Sequence, residues 1–138
     1  MTPEELNALA DRVERLEGAD REVDAEIWQA TSRVRLTPIS GPVGSIPGIP
    51  SQCPRYTASM DAAMTLVPDG WWWKVGECSI SSDATVGPDI AHCPKDMLIE
   101  LDDGIDVVIE PPSSTAIALT AACLRAHAYL ALRARNAS

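Results

Sequence analysis

The segment YTASMDAAMTLVPDGWWWKV, residues 56–75, indicates the fold class because its pattern changes from helix to strand at a proline and a glycine. Ser59 is a residue type that caps helices, and apolar side chains follow it at helical spacing. These are Met60, Ala63, Met64 and Val67. Residues 68–70 end the helix, and the tryptophans after them are typical of a strand. We therefore predict a helix over 59–67 and a strand over 71–80.

The three consecutive tryptophans divide between the two faces of this strand. Alternation places Trp71 and Trp73 on one face and Trp72 on the other. We predict that Trp71 and Trp73 are buried against the last helix and against Met60 or Met64. Trp72 then lies under another layer or stays exposed, and an exposed tryptophan indicates a contact surface. Trp72 is therefore the candidate binding residue.

The chain after residue 80 continues with alternating strand and helix signals. Two short apolar runs, 97–101 and 106–110, flank Asp102-Asp103-Gly104, which is a hairpin signal. Between the tryptophans and this hairpin the chain is rich in turn residues, with a short strand expected near 84–86. We predict an α+β fold with a small three- to four-stranded, mainly antiparallel sheet packed with helices and preceded by a helical N-terminal arm.

The last helix is predicted over residues 114–132. Ser113 or Ser114 can cap it after Pro111 and Pro112, and basic residues near its end suit the helix dipole. Its apolar surface is almost unbroken, which predicts a heavily buried helix.

Two helices joined at Gly18-Ala19-Asp20 are predicted for the arm, with Thr2 and Asp20 as their caps. One apolar stripe runs through both at the alternating spacing of three and four that is typical of a coiled coil. It consists of Leu6, Leu9, Val13, Leu16, Val23 and Ile27. The stripe either joins two copies of the chain or packs on the core of its own domain, and the short, interrupted run favours the second.

Proline and glycine mark the boundary between the arm and the domain. Residues 36–54 hold five prolines and three glycines without periodicity, as in an extended connector. We therefore divide the chain into a helical arm at 1–30, a connector at 31–55 and an α+β sandwich-like domain at 56–138.

The net charge of −9 is distributed unevenly along the chain. Residues 1–30 and 31–112 each sum to −6, whereas residues 113–138 sum to +3. An acidic surface repels phosphate backbones, so we expect no direct binding of nucleic acid. The acidity either keeps the protein in solution or makes it a decoy for a basic nucleic-acid-binding partner.

The sequence contains no motif that fixes a reaction or a metal. Cys53, Cys78, His92 and Cys93 could be imagined around zinc, but their spacing is irregular, so we expect four free thiols, no metal and no cofactor. Asp102 and Asp103 suit a turn, and neither His92 nor His127 has a partner within a motif. We therefore predict that the protein is not an enzyme.

Hydropathy predicts an intracellular protein that does not bind membranes. No apolar run approaches the roughly 20 residues that span a bilayer. The segment MTPEELNALADRVERLEG also lacks the basic start and the apolar stretch of a signal peptide.

Residues 56–75 and 113–128, with EGADREVDAEIW at 17–28, resemble in their layout small phage and prophage proteins of the phage ABA sandwich domain group. In that group the tryptophan run usually looks like tryptophan, a polar residue and tryptophan, so Trp72 is a departure. The resemblance implies no catalytic residues.

The resemblance implies an intracellular phage accessory protein in the cytoplasm of a bacterial host. Such a protein would bind a host protein or a small ligand, with counter-defence among its roles. The alternative is a structural or assembly component of a phage particle.

Overall fold

The N-terminal helix α1 (Pro3–Glu14) begins at the predicted cap in the computed structural model of the chain, where the Thr2 hydroxyl accepts from the Glu5 N–H at 3.1 Å. The structure describes residues 2–32, 53–78, 80–91, 93–101, 104–109 and 114–137. Helix α2 (Arg21–Ser32) follows, and Asp20 caps it by accepting from the N–H groups of Glu22 and Val23. Both caps confirm the sequence predictions.

The segment with the three tryptophans forms the predicted helix and strand, but each element ends three residues earlier than the sequence predicts. Helix α3 (Met60–Met64) starts at Ser59, whose hydroxyl accepts from the Ala62 N–H at 3.3 Å. Strand β1 (Trp71–Glu77) follows Gly70, which has the positive φ of 79° that glycine tolerates.

The sheet has three antiparallel strands in the order β1-β2-β3, which confirms the predicted fold class. Strand β2 (Ser82–Pro88) pairs with β1 on one side and with β3 (Ile105–Ile109) on the other. The strand predicted at 97–101 is wrong, because helix α4 (Lys95–Glu100) occupies that segment. A short apolar run fits a strand or a helix equally well, so periodicity could not separate them.

The last helix, α5 (Thr115–Ala137), is the centre of the fold. It packs on α1 from one side and on β2 and β3 from the other, and α3 also contacts it. The layers are therefore the sheet, then α5, then α1. Small side chains on α5 let both neighbours come close, and they are fully or almost fully buried. They are Ala116, Ala118, Ala121, Ala122, Ala126 and Ala128.

The uneven distribution of charge along the sequence corresponds to ion pairs in the fold. Acidic side chains of α1 pair with basic side chains of α5. Arg135 contacts the Glu4 carboxylate through both guanidinium nitrogens, at 3.0 and 3.3 Å, and this pairing lowers the pKa of Glu4. Arg125 reaches the carboxylates of Asp11 and Glu14. The acidic arm thus lies antiparallel to the basic C-terminal helix of the same chain.

The arm stripe lies inside this single copy. Leu6, Leu9, Val13, Val23 and Ile27 are buried in the same core as α5, and Leu16 packs half-buried against it. The sequence left two arrangements open, and in this structure the arm packs on the core of its own domain. Self-association through the stripe would require α1 and α2 to leave this core. Residues 33–52 of the predicted connector lie outside the described residues.

A buried polar cluster holds the start of α2 against the chain that leads into α3. The carboxylate of Asp24, 2 % exposed, accepts from the Thr57 N–H at 2.9 Å and from the Thr57 hydroxyl at 2.8 Å. Arg21 also approaches Asp24, at 3.5 Å, and donates to the carbonyls of Cys53 and Pro54. The cluster joins residues on both sides of the connector.

One prediction about the length of apolar runs is wrong for helix α5. Over residues 115–136 it is long and apolar enough to cross a membrane by length and composition, so the prediction that no apolar run approaches this length is wrong. However, 61 % of its most apolar window is buried inside the fold, as in a core helix.

Candidate binding surface

The sheet has an inner face that packs on α5 and an outer face that no described helix covers. Ala84, Val86 and Val107 point inward and are buried. On the outer face, Val108 is 60 % exposed and Trp72 is 37 % exposed. The outer face is defined by the alternate residues of the strands. They are Trp72, Lys74 and Gly76 of β1, Asp83, Thr85 and Gly87 of β2, and Asp106 and Val108 of β3.

Trp72 lies flat across the outer face because its neighbours are glycines. Gly87 is its partner in the register, and the ring atom Cε2 lies 2.7 Å from where a Cβ atom at residue 87 would be. The ring atom Cη2 similarly lies 3.2 Å from the Cβ position of Gly104, at the start of β3. The indole therefore extends from β1 over β2 toward β3. Any side chain at residue 87 would displace it.

Two acidic side chains lie on this face, both toward the same end of the strands from the indole. The Thr85 hydroxyl donates to Oδ1 of Asp106 at 2.7 Å, which ties β2 to β3 beside Trp72. Asp83 lies over Gly76, because the Cβ position of Gly76 is 2.7 Å from its Oδ1 atom. Lys74 is the one basic residue in the three strands. The surface thus combines one aromatic ring, one lysine and two carboxylates.

The prediction that Trp73 is buried is wrong. Trp71 is half-buried and packs against the core, but Trp73 is 37 % exposed although it shares the inner face. Helix α5 lies mainly over β2 and β3, and it contacts β1 least of the three strands. Alternation gives the face of a side chain, but not its distance from the middle of the sheet.

This placement changes the expected energetic cost of losing each inner tryptophan. We expect Trp71→Ala to lower the free energy of unfolding by about 3 kcal/mol, the lower end for a large aromatic residue in a core. For Trp73→Ala we expect only about 1 to 2 kcal/mol, since solvent already reaches the ring. Urea unfolding of both variants, at concentrations where they are monomeric, measures the difference. A loss of stability for Trp73→Ala as large as for Trp71→Ala would refute the placement of Trp73 at the edge of the core.

The four cysteine thiols are not bonded to one another, and their surroundings differ. Burial raises the pKa of Cys123 to about 12 and also raises the pKa of Cys53. Cys78 is exposed, and a hydrogen bond with the Ser81 hydroxyl, joined by the backbone of residues 80 and 81, lowers the pKa of its thiol. Within the described ranges, no group of three or more His, Cys, Asp or Glu residues is placed to hold a metal ion.

These surroundings predict the order in which the thiols react. In the native protein we expect a disulfide reagent to modify Cys78 first and Cys123 only after unfolding, because the reactive species is the thiolate. Mass spectrometry of partly modified protein gives the order. Modification of Cys123 before Cys78 under native conditions would contradict the described burial. After denaturation all four thiols should react, as the sequence predicts.

Of the histidines and turn carboxylates considered from the sequence, His127 is the one that lies in the described part of the chain. His127 packs between helices, with its Nε2 atom 2.8 Å from the Leu66 carbonyl oxygen. His92, Asp102 and Asp103 lie outside the described residues. A cleft of about 510 Å³ is lined by Ile90, Cys93, Lys95, Leu98 and Ile99. Its two isoleucines are mostly exposed, so it is a shallow apolar depression.

Sequence reasoning missed the residues that support Trp72. Gly87 and Pro88 read as turn signals, although glycine within a strand often marks the close approach of another group. That rule, applied to Gly76 and Gly87, could have indicated side chains lying across the strands. The pair formed by Thr85 and Asp106 carried no such signal, because it depends on the register of β2 against β3.

Comparison with known proteins finds no relative of this chain. No family model, no curated protein and no solved structure matches the chain.

Proposed function

We propose that this protein is a non-catalytic phage or prophage accessory protein that binds a basic segment of a host protein on the outer face of its sheet. The phage setting and the location in the bacterial cytoplasm come from the sequence resemblance. Counter-defence is one role that such binding would serve. The observation that supports the binding surface is the exposed indole of Trp72, laid across Gly87 between strands.

The chemistry of this face favours a partner with arginine or lysine. A guanidinium group stacks on an indole at a gain of about 0.5 to 2 kcal/mol. Asp106, already oriented by Thr85, offers a carboxylate in the cross-strand row next to Trp72, and Asp83 adds a second carboxylate one row further along the strands. The net charge of −9 draws a basic partner from a distance and repels nucleic acid.

A tryptophan that is fixed before binding is also a favourable contact in energetic terms. Tryptophan is enriched among the residues that contribute most to interface energy. Gly87 and Gly104 restrict the ring of Trp72 from beneath, so less side-chain freedom is lost when a partner covers it.

Calorimetric titration with an arginine-rich peptide tests this proposal. We expect Trp72→Ala to weaken binding at least about tenfold. Gly87→Ala should also weaken it, because a methyl group there displaces the indole without removing it. Ile99→Ala is the matched control, since Ile99 is 71 % exposed but lies on α4. An equal loss in all three variants, or no loss in Trp72→Ala, would place binding elsewhere on the acidic surface.

A further inference from the structure

Strand β1 lies at the edge of the sheet. It pairs with β2 on one side, and on the other side no strand of the described part meets it. An edge strand presents a row of unpaired backbone groups, and long apolar edges are usually blocked by charges, prolines or bulges. Strand β1 has no proline, and its charged residues are Lys74 and Glu77.

Hydrogen bonds at both ends of the ladder between β1 and β2 show which backbone groups face this edge. The Asp89 N–H donates to the Gly70 carbonyl, and the Cys78 N–H donates to the Ser81 carbonyl, each at 2.9 Å. Both pairs continue the register of β1 against β2, and bonded pairs recur at every second residue of an antiparallel ladder. The even-numbered residues of β1 therefore bond to β2. Trp73 and Val75 direct their N–H and C=O groups away from the sheet.

Two nearby observations agree with the conclusion that the even-numbered residues of β1 bond to β2. Pro88 is opposite Trp71, at a pair where β1 requires no N–H from β2. The Trp71 N–H donates to the Pro68 carbonyl at 3.1 Å, which leaves the Trp71 carbonyl for the edge.

We propose that β1 pairs with β1 of a second copy of this chain, antiparallel, about a twofold axis through Trp73. The two three-stranded sheets then form one six-stranded sheet. Trp73 exchanges both backbone hydrogen bonds with its counterpart. The Val75 N–H of each copy donates to the Trp71 carbonyl of the other.

The side chains favour this register over those centred on Lys74 or Val75. Directly opposite residues share a face, so the axis must pass through a residue. Through Trp73, it places Lys74 of each copy opposite Trp72 of the other, a cation over an aromatic ring. An axis through Lys74 would oppose two lysines, and an axis through Val75 would place Trp73 opposite Glu77. The strand is thus complementary to itself, which favours a second copy over a strand of another protein.

This inference does not rest on the binding function proposed above, although the second copy would place its Lys74 opposite Trp72. A charge exchange at residue 73, which lies on the inner face, tests the dimer separately. Sedimentation equilibrium of the full chain, from about 1 to about 500 µM, should show a monomer and a dimer. Trp73→Lys and Trp73→Glu should each weaken the dimer at least about tenfold, because like charges then meet on the axis. An equimolar mixture of the two variants should restore it. Ile99→Lys is the control for an added surface charge.

Hydrogen exchange of the wild-type protein gives a test that requires no variant. The Val75 N–H should become more protected as concentration rises, whereas the Lys74 N–H, bonded to β2, should not change. A wild-type monomer throughout the range would overturn the proposal. So would a dimer that Trp73→Lys leaves intact, a mixture that stays monomeric, or a complex of β1 with an unrelated strand.

Discussion

Val13→Asp should lower the free energy of unfolding by about 3 to 5 kcal/mol, the cost of an uncompensated charge in a protein interior. Val13 is 0 % exposed, in the core that α1 forms with α5. The carboxylate would lie among apolar side chains, so the helix must either undock or carry a protonated acid. Chemical denaturation followed by circular dichroism measures the loss.

The control is Asn7→Asp, which adds the same charge at an exposed position of the same helix. We expect its effect to stay within about 0.5 kcal/mol. If the stripe instead joined two copies, Val13→Asp would lower the oligomeric mass and leave the stability of the monomer unchanged. That result would contradict a docked arm.

Asp24→Ala should cost about 3 kcal/mol, since it leaves several buried donors without their acceptor. The Thr57 N–H and hydroxyl lose the carboxylate, and Arg21 loses its nearby anion. Thermal and urea unfolding measure the loss. The cluster joins the start of α2 to the chain before α3, so the variant should loosen both segments.

Two further variants distinguish the loss of the hydrogen-bond acceptor at residue 24 from the loss of a negative charge. Asp24→Asn keeps one oxygen for Thr57 and should cost only about 1 kcal/mol. Glu22→Ala removes an exposed acid from the same helix and should be nearly neutral. Equal effects of Asp24→Ala and Glu22→Ala would show that the cluster does not stabilise the fold.

The sequence predicted the features that depend on nearby residues. Thr2, Asp20, Ser59 and Ser114 each accept from a backbone N–H two or three residues ahead, as capping requires. The turn at Gly70 and the buried last helix were predicted for the same reason. Each rests on a pattern within a few turns of chain.

Features that depend on distant residues were not predictable in this way. Pro88 lies in a segment that is rich in turn residues, but it occupies a strand position at which β1 does not require its N–H. Trp73 was assigned to the core from alternation, which carries no information on how far α5 reaches across the sheet. The acidic and basic ends of the chain were visible as charge sums, but their pairing through Glu4 and Arg135 required the antiparallel packing of α1 and α5.

The candidate binding surface also combines features that depend on nearby residues with features that depend on distant ones. Alternation separated Trp72 from its neighbours and made it the candidate residue. Its support by Gly87 and Gly104, and the carboxylates beside it, come from strands that the sequence did not place. The surface is therefore defined by the register of the sheet.

Fluorine NMR of protein labelled with 5-fluorotryptophan tests the binding surface most directly. The chain has four tryptophans, and a Trp→Phe variant of each assigns its resonance. On addition of the arginine-rich peptide, we expect a shift of the Trp72 resonance that saturates with the calorimetric affinity, while the resonance of Trp28 on α2 stays unchanged. A saturating shift of Trp28 with no shift of Trp72 would contradict the assignment of binding to the outer face of the sheet.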